Sequence, residues 1–243
     1  MSGKKAKAAR RASPAYRARK QAAQRRGEQR RRWGRLAYWP AVLLVIGGLI
    51  AFLALRNNST SGTPGSAKSA SQGSSGYQFA VGAPGPGQAA PAIRLPSTRG
   101  GTFDLAAYKG KEPVLLYFQE GLTCQPCWDQ IAAIDQERGK FRALGIKTIV
   151  SITTDPLDLI KEKAQDEDLE MPILADEDAH VSDTYDARTY SMTWMKPPRD
   201  GHSFILIGKD GRIRWRADYG GPPKYTMFLP VDALITDLRS GLG

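Results

Sequence analysis

The sequence predicts an α/β domain, a central sheet with helices on both faces, preceded by one transmembrane helix. Three features carry that expectation. EPVLLYF (112–118) and IKTIVSITT (146–154) are apolar, β-branched runs of strand length, as in strands buried on both faces of a parallel sheet. Segments with apolar residues at three- and four-residue spacing follow them, so strand alternates with helix. Upstream, LAYWPAVLLVIGGLIAFLAL (36–55) carries no charge over a length that spans about 30 Å as a helix, the hydrocarbon thickness of a bilayer.

In chain order, residues 1–35 form a basic tail with 14 Lys/Arg against Glu28 alone, a net charge of +13. The other 208 residues hold 21 basic and 23 acidic side chains. The chain-wide net charge of +11 is therefore a property of the tail and gives no support for nucleic-acid binding by the whole chain. Only Arg56 and Lys68 follow the apolar span closely, so the N-terminus is expected in the cytoplasm and the remainder outside. Tyr38 and Trp39 sit where aromatic rings favour the membrane interface. A cleaved signal peptide is the alternative, disfavoured by the length of the apolar run. Residues 56–88 are rich in Ser, Gly, Pro and Ala and are predicted to be a flexible linker, with the folded domain at 89–243.

APAIRLPSTRGGTFDLAAYKG predicts two short strands around Gly100-Gly101 and then a short helix. After the 112–118 strand, a helix is expected from about Pro126 to Leu144, with Trp128, Ile131, Ile134 and Phe141 on one side. Asp155 and Pro156 read as the cap and first turn of a helix through Lys163. MPILAD (171–176) predicts a short strand, HSFILIGKDGRIRWRADYG (202–220) a hairpin turned at Lys209-Asp210-Gly211, and PVDALITDLRSGL (230–242) a terminal helix.

Both cysteines, Cys124 and Cys127, lie in FQEGLTCQPCW, where the 112–118 strand meets its helix. Structural zinc needs four N or S ligands, and the chain offers these two plus His180 and His202, far away in sequence. A bridge closing so short a loop constrains the unfolded chain little, so a purely structural disulfide is weakly motivated. A redox couple has a positive argument: a cysteine at a helix N-terminus faces unpaired N–H groups that favour its thiolate. Cys124 would then be the exposed nucleophile and Cys127 would resolve the mixed disulfide. Pro126 suits the first turn, where an N–H would have no partner.

The stretch APAIRLPSTRGGTFDLAAYKGKEPVLLYFQEGLTCQPCW, with FILIGKDGRIRW further on, resembles the thioredoxin-like redoxins, over roughly residues 89–240. These include the alkyl hydroperoxide reductase/thiol-specific antioxidant family and membrane-tethered thiol-disulfide oxidoreductases. The resemblance implies a thioredoxin-like fold with a mixed sheet and makes Cys124 and Cys127 the active-site pair. It also implies a loop facing the cysteines just before the FILI strand, where thioredoxins carry a cis-proline and this chain has His202, with Pro197 and Pro198 upstream.

His202 is then either an acid/base near the thiols or a partly exposed residue at the start of a strand. Glu120 is either a proton relay or a solvated loop acid. Trp128 is a packing residue or a lip beside the disulfide, Arg199 a weaker candidate charge, and Tyr219 a wall or a core aromatic. Three functions compete. The first is a membrane-anchored, extracytoplasmic thiol-disulfide oxidoreductase acting on protein or small-molecule thiols and disulfides, recharged by an outside redox partner and needing no cofactor. The second is a peroxiredoxin-type peroxidase. By the resemblance, its peroxide-positioning hydroxyl belongs three residues before Cys124, where this chain has Gly121, unless Thr123 substitutes. The third is a Cu(I)-binding thioredoxin-fold chaperone using both thiolates and His202; its relatives carry CxxxC rather than CxxC.

Overall fold

The computed structural model describes residues 71–191 and 199–242. The basic tail, the 36–55 span, the first part of the linker, and Pro197 and Pro198 lie outside the described residues. Among the described ones, no helix is long and apolar enough to cross a membrane.

The core is a five-stranded sheet built from β5 (Val114–Phe118), β6 (Thr148–Thr153), β7 (Ile173–Ala175), β8 (Ser203–Ile207) and β9 (Ile213–Asp218). Its order is β7-β6-β5-β8-β9. β5 runs parallel to β6 and antiparallel to β8, so the sheet is mixed and β5 lies at its centre. The alternation of β5 explains its wholly apolar sequence. Leu115 and Tyr117 enter one core cluster with Trp128, Ile131, Ile134, Phe204 and Leu234, while Val114, Leu116 and Phe118 enter another with Leu95, Phe103, Val150 and Tyr185. Full burial of each such side chain contributes about 1.5–3 kcal/mol. The first face is covered by α1 (Gln125–Gln136), α3 (Leu157–Asp166) and α5 (Val231–Arg239). The second is covered by α4 (His180–Thr184) and the hairpin of β3 (Arg94–Pro96) and β4 (Thr102–Asp104).

The helix expected to run to Leu144 is two helices. It breaks at Glu137, whose φ of −110° leaves the helical region, and resumes as α2 (Arg138–Ala143). Gly139, a poor helix former, lies just beyond the break. The expected Asp155 cap is also corrected. Pro156 is the N-cap of α3, no side chain of its own caps the helix, and Glu177 Oε1 accepts the Leu157 N–H at 3.0 Å.

The linker boundary moves furthest. Residues 71–88, predicted flexible, run along the edge of the sheet. A small hairpin pairs β1 (Ser71–Gln72) with β2 (Gln78–Phe79), turning at Gly76 with φ of +87°. Phe79 sits edge-on to Trp215 and Tyr219 in the first core cluster. Bridges at Ala80–Asp218 and Ala89–Arg212 then lay the chain along β9, an edge strand whose open N–H and C=O groups would otherwise face water. Composition misled here because few anchors suffice: Asp237 accepts both the Ser75 N–H and its hydroxyl at 2.7 Å, and Asp218 accepts the Gly82 N–H at 2.7 Å.

Candidate active site

Cys124 is the N-cap of α1, and its sulfur accepts the Cys127 N–H at 3.2 Å. The two cysteines form a disulfide with Cα atoms 5.3 Å apart. Cys127 is fully buried and Cys124 retains 6% exposure, so Cys124 is the more accessible sulfur, though far less open than the sequence suggested. Pro126 and Thr123 are exposed beside it. The Thr123 hydroxyl makes no hydrogen bond among the described residues, and no group of three His, Cys, Asp or Glu there could hold a metal ion.

The loop from β5 to Cys124 is fastened by hydrogen bonds at Gly121, Leu122 and Cys124. Gln119 Oε1 accepts the Gly121 N–H at 2.6 Å, and the Gly121 carbonyl accepts from Trp128 Nε1 at 3.0 Å and the Cys124 N–H at 3.0 Å. Asp155 Oδ2 accepts the Leu122 N–H at 2.6 Å, and Asp155 Oδ1 meets Arg199 Nη1 at 2.5 Å. Gly121 has φ of +88°, and a Cβ there would overlap the Asp155 carboxylate and lie 2.6 Å from Thr153 Oγ1. The position where the resemblance would put a hydroxyl side chain thus has no room for one.

Trp128 is fully buried; it packs under Lys163, whose ammonium lies 4.9 Å from the ring centroid, and ties α1 to the loop. It is a packing residue, not a lip. Glu120 is 3% exposed, which corrects the solvated reading, and its charge adds to burial in raising the Tyr117 pKa. Tyr219 is a core aromatic whose hydroxyl donates to Asp237 at 2.7 Å.

His202 is fully buried, which corrects the reading of a partly exposed residue at the start of a strand. Its Nδ1 lies 2.8 Å from the Tyr117 hydroxyl and its Nε2 3.3 Å from Gln130 Oε1. Burial lowers its pKa to about 3, and burial also keeps Tyr117 protonated, so one neutral tautomer satisfies both bonds: Tyr117 donates to Nδ1 and Nε2–H donates to Gln130. The imidazole is therefore a packed, neutral bridge beneath α1. Its partner Gln130 stands three residues after Cys127, one turn along the same helix, and also accepts the Leu229 N–H at 2.7 Å. Among the described residues the cis peptide bonds are Ala83–Pro84 and Pro222–Pro223, neither at the start of β8.

Asp155, Gln119, Gln130 and Asp200 were missed in the sequence. Asp155 lies just beyond the C-terminal end of β6, parallel to β5, where ligand sites of α/β sheets gather, and that rule could have found it. Asp200 had no signal. It is buried against Ser182, whose hydroxyl it shares with Asp176, and burial holds its carboxyl well above the usual carboxylate range.

A sheet of this order, with a cysteine pair opening the helix after its central strand, places the chain among the thioredoxin-like redoxins, which are redox enzymes. Comparison with known proteins narrows that class. The AhpC/TSA family model matches residues 86–216, more than half of the chain, and the chain belongs to that family. A Mycobacterium tuberculosis protein provisionally named a peroxiredoxin is 27% identical over 129 residues, covering 53% of this chain and 81% of its own. The structure of peroxidoxin BcpB from Mycobacterium tuberculosis superposes with a TM-score of 0.54 at 18% identity, over 64% of this chain and 97% of that one. The reduced 2-Cys peroxiredoxin of Plasmodium vivax gives 0.53 at 17% identity, over 62% and 78%. At these identities the two structures speak for the fold.

Proposed function

We propose that this chain is a membrane-anchored thiol-disulfide oxidoreductase whose redoxin domain works outside the cytoplasm through the Cys124–Cys127 couple. One observation carries the reading: the two sulfurs are bonded to each other at the first turn of α1, with Cys124 Sγ already accepting a helix N–H. The same donor and the helix dipole would favour the Cys124 thiolate on reduction. That thiolate attacks a substrate disulfide, forming a mixed disulfide and expelling one substrate thiolate. Cys127 then attacks Cys124 Sγ, expelling the second. The substrate gains two electrons and the chain returns to the disulfide, which an outside dithiol must reduce again.

The second reading is a peroxidase, favoured by membership of the AhpC/TSA family. There Cys124 takes the terminal peroxide oxygen as sulfenate, an alcohol (water in the case of hydrogen peroxide) leaves, and Cys127 displaces water to close the disulfide. The crowding at Gly121 weighs against it, because no side-chain hydroxyl fits there. Full-length protein assayed with a disulfide substrate and with hydrogen peroxide separates the two. Disulfide exchange lost in both Cys124→Ser and Cys127→Ser, with slow peroxide turnover, supports the first. Rapid peroxide consumption that survives Cys127→Ser but not Cys124→Ser supports the second.

The anchor and outward orientation rest on the uncharged run at 36–55 and the +13 tail before it. A reporter that works only outside the cytoplasm, fused after Gly243, should be active; an inactive fusion overturns the orientation.

A further inference from the structure

The loop that presents Cys124 is held by a carboxylate from another strand. Asp155 follows β6, is buried, and takes the Leu122 N–H on Oδ2 while Oδ1 meets the guanidinium of Arg199, which is 30% exposed. Leu122 precedes Cys124 by two residues, a span of at most about 7 Å between Cα atoms, within the screening length of physiological salt. A carboxylate held against the loop that carries a thiol disfavours the thiolate unless a cation offsets it.

We propose that Asp155 and Arg199 are a positioning pair for Cys124: the carboxylate fixes the loop that carries the thiol, and the guanidinium cancels the negative charge this brings beside it. The proposal rests on Cys124 being the reactive thiol.

The other charged groups around the loop leave this role to Arg199. Glu120, on the loop itself, is acidic, as is Asp129 on α1, which accepts from the Gln125 amide at 2.9 Å. Lys163 approaches from α3 and donates to Gln125 Oε1 at 3.3 Å, but it lies over the Trp128 ring and its charge is offset by Glu167 at 2.7 Å. His202, from the start of β8, is neutral. Arg199 is the cation that the structure joins to the Cys124 loop through Asp155. The pair has a second consequence. Because Asp155 Oδ2 fills the volume beside Gly121, residue 121 is confined to glycine by the same carboxylate that holds Leu122.

The test is the pH profile of Cys124 alkylation in fully reduced, full-length protein, with mass spectrometry assigning label to Cys124 or Cys127. Arg199→Met leaves Asp155 uncompensated and should raise the Cys124 midpoint by about half a pH unit or more. Asp155→Asn keeps an oxygen for the Leu122 N–H but frees the guanidinium, and should lower the midpoint. Arg199→Lys, which preserves the charge, should stay near the parent. A merely structural pair would lower melting temperatures without opposite-signed shifts. Unchanged midpoints, or two shifts of one sign, overturn the proposal. Should Arg199→Met fail to fold, the downward shift of Asp155→Asn and the match of Arg199→Lys decide it. Label appearing first on Cys127 would count against Cys124 as the reactive thiol, whereas no shift at Cys124 counts against the pair.

Discussion

Two Asp–Arg pairs of the same chemistry sit in different surroundings. Arg216 and Asp218 on β9 are both fully inaccessible. Their other partners are inside the fold: Asp218 also takes the Gly82 N–H, Arg216 donates to the Pro84 carbonyl, and the guanidinium lies 5.8 Å from the Tyr190 ring centroid. Asp155 and Arg199 are instead 5% and 30% exposed, and what they hold is the loop leading to a cysteine. The closed pair fastens residues 80–84 to the sheet edge and is shut off from solvent. The open pair keeps one member in contact with water and the other against the site. Burial separates an ion pair that only holds the fold from one placed where it can tune chemistry.

Breaking the closed pair should have the largest effect. Asp218→Ala leaves a buried guanidinium without its carboxylate and should cost about 3–5 kcal/mol in urea unfolding. A loss below about 1 kcal/mol, the range of exposed pairs, would mean that the two pairs do not differ as their burial implies.

A test on the site's own face comes next. His202 titrates at about 3 in the fold against 6.5 unfolded. The unfolded chain therefore binds a proton that the folded chain does not, so stability falls as pH drops from about 6.5 toward 3, by up to about 1.4 kcal/mol per pH unit. His202→Gln should flatten that part of the stability–pH curve, measured by denaturant midpoints at pH 7 and 4.5. An unchanged slope would place the acid sensitivity elsewhere.

Gly121→Thr sharpens the comparison at the open pair. Its positive φ alone costs about 1–3 kcal/mol for a residue with a side chain, and the new Cβ must push Asp155 off Leu122. Thermal unfolding should register the cost, and a variant as stable as the parent would show that the loop moves freely. The smallest effect on stability is expected for Arg199→Met, about 1 kcal/mol or less, because Arg199 is 30% exposed and Asp155 keeps the Leu122 N–H.

Much of the fold was legible because β5, β6, β7 and the β8–β9 hairpin are short apolar runs bounded by turn residues. The Gly100-Gly101 turn, with φ of +91° and +68°, and the Gly211 turn, with φ of +77°, lie where glycine marked them. What escaped was tertiary. Asp155-Pro156 has the local signature of a helix start, but the carboxylate turns to Leu122 and Arg199, 33 and 44 positions away in sequence. Phe79 and Ser75 sit in a stretch whose composition reads as linker, and only partners on β9 and α5 make them structural. Of the site, the CxxC and its place at a strand–helix junction were visible. The exposure of its neighbours was not: His202 and Glu120 look like surface residues until the sheet and α1 close over them.

The central claim is that Cys124 and Cys127 cycle as one two-electron couple. Its most direct test equilibrates the full-length chain with dithiothreitol or glutathione buffers of stepped potential and counts free thiols by mass spectrometry. The account predicts a single reversible transition in which both thiols appear together, with disulfide exchange lost in either serine variant. A Cys124 that reacts with peroxide and turns over without Cys127, or a disulfide that stays closed across the whole series, would contradict it.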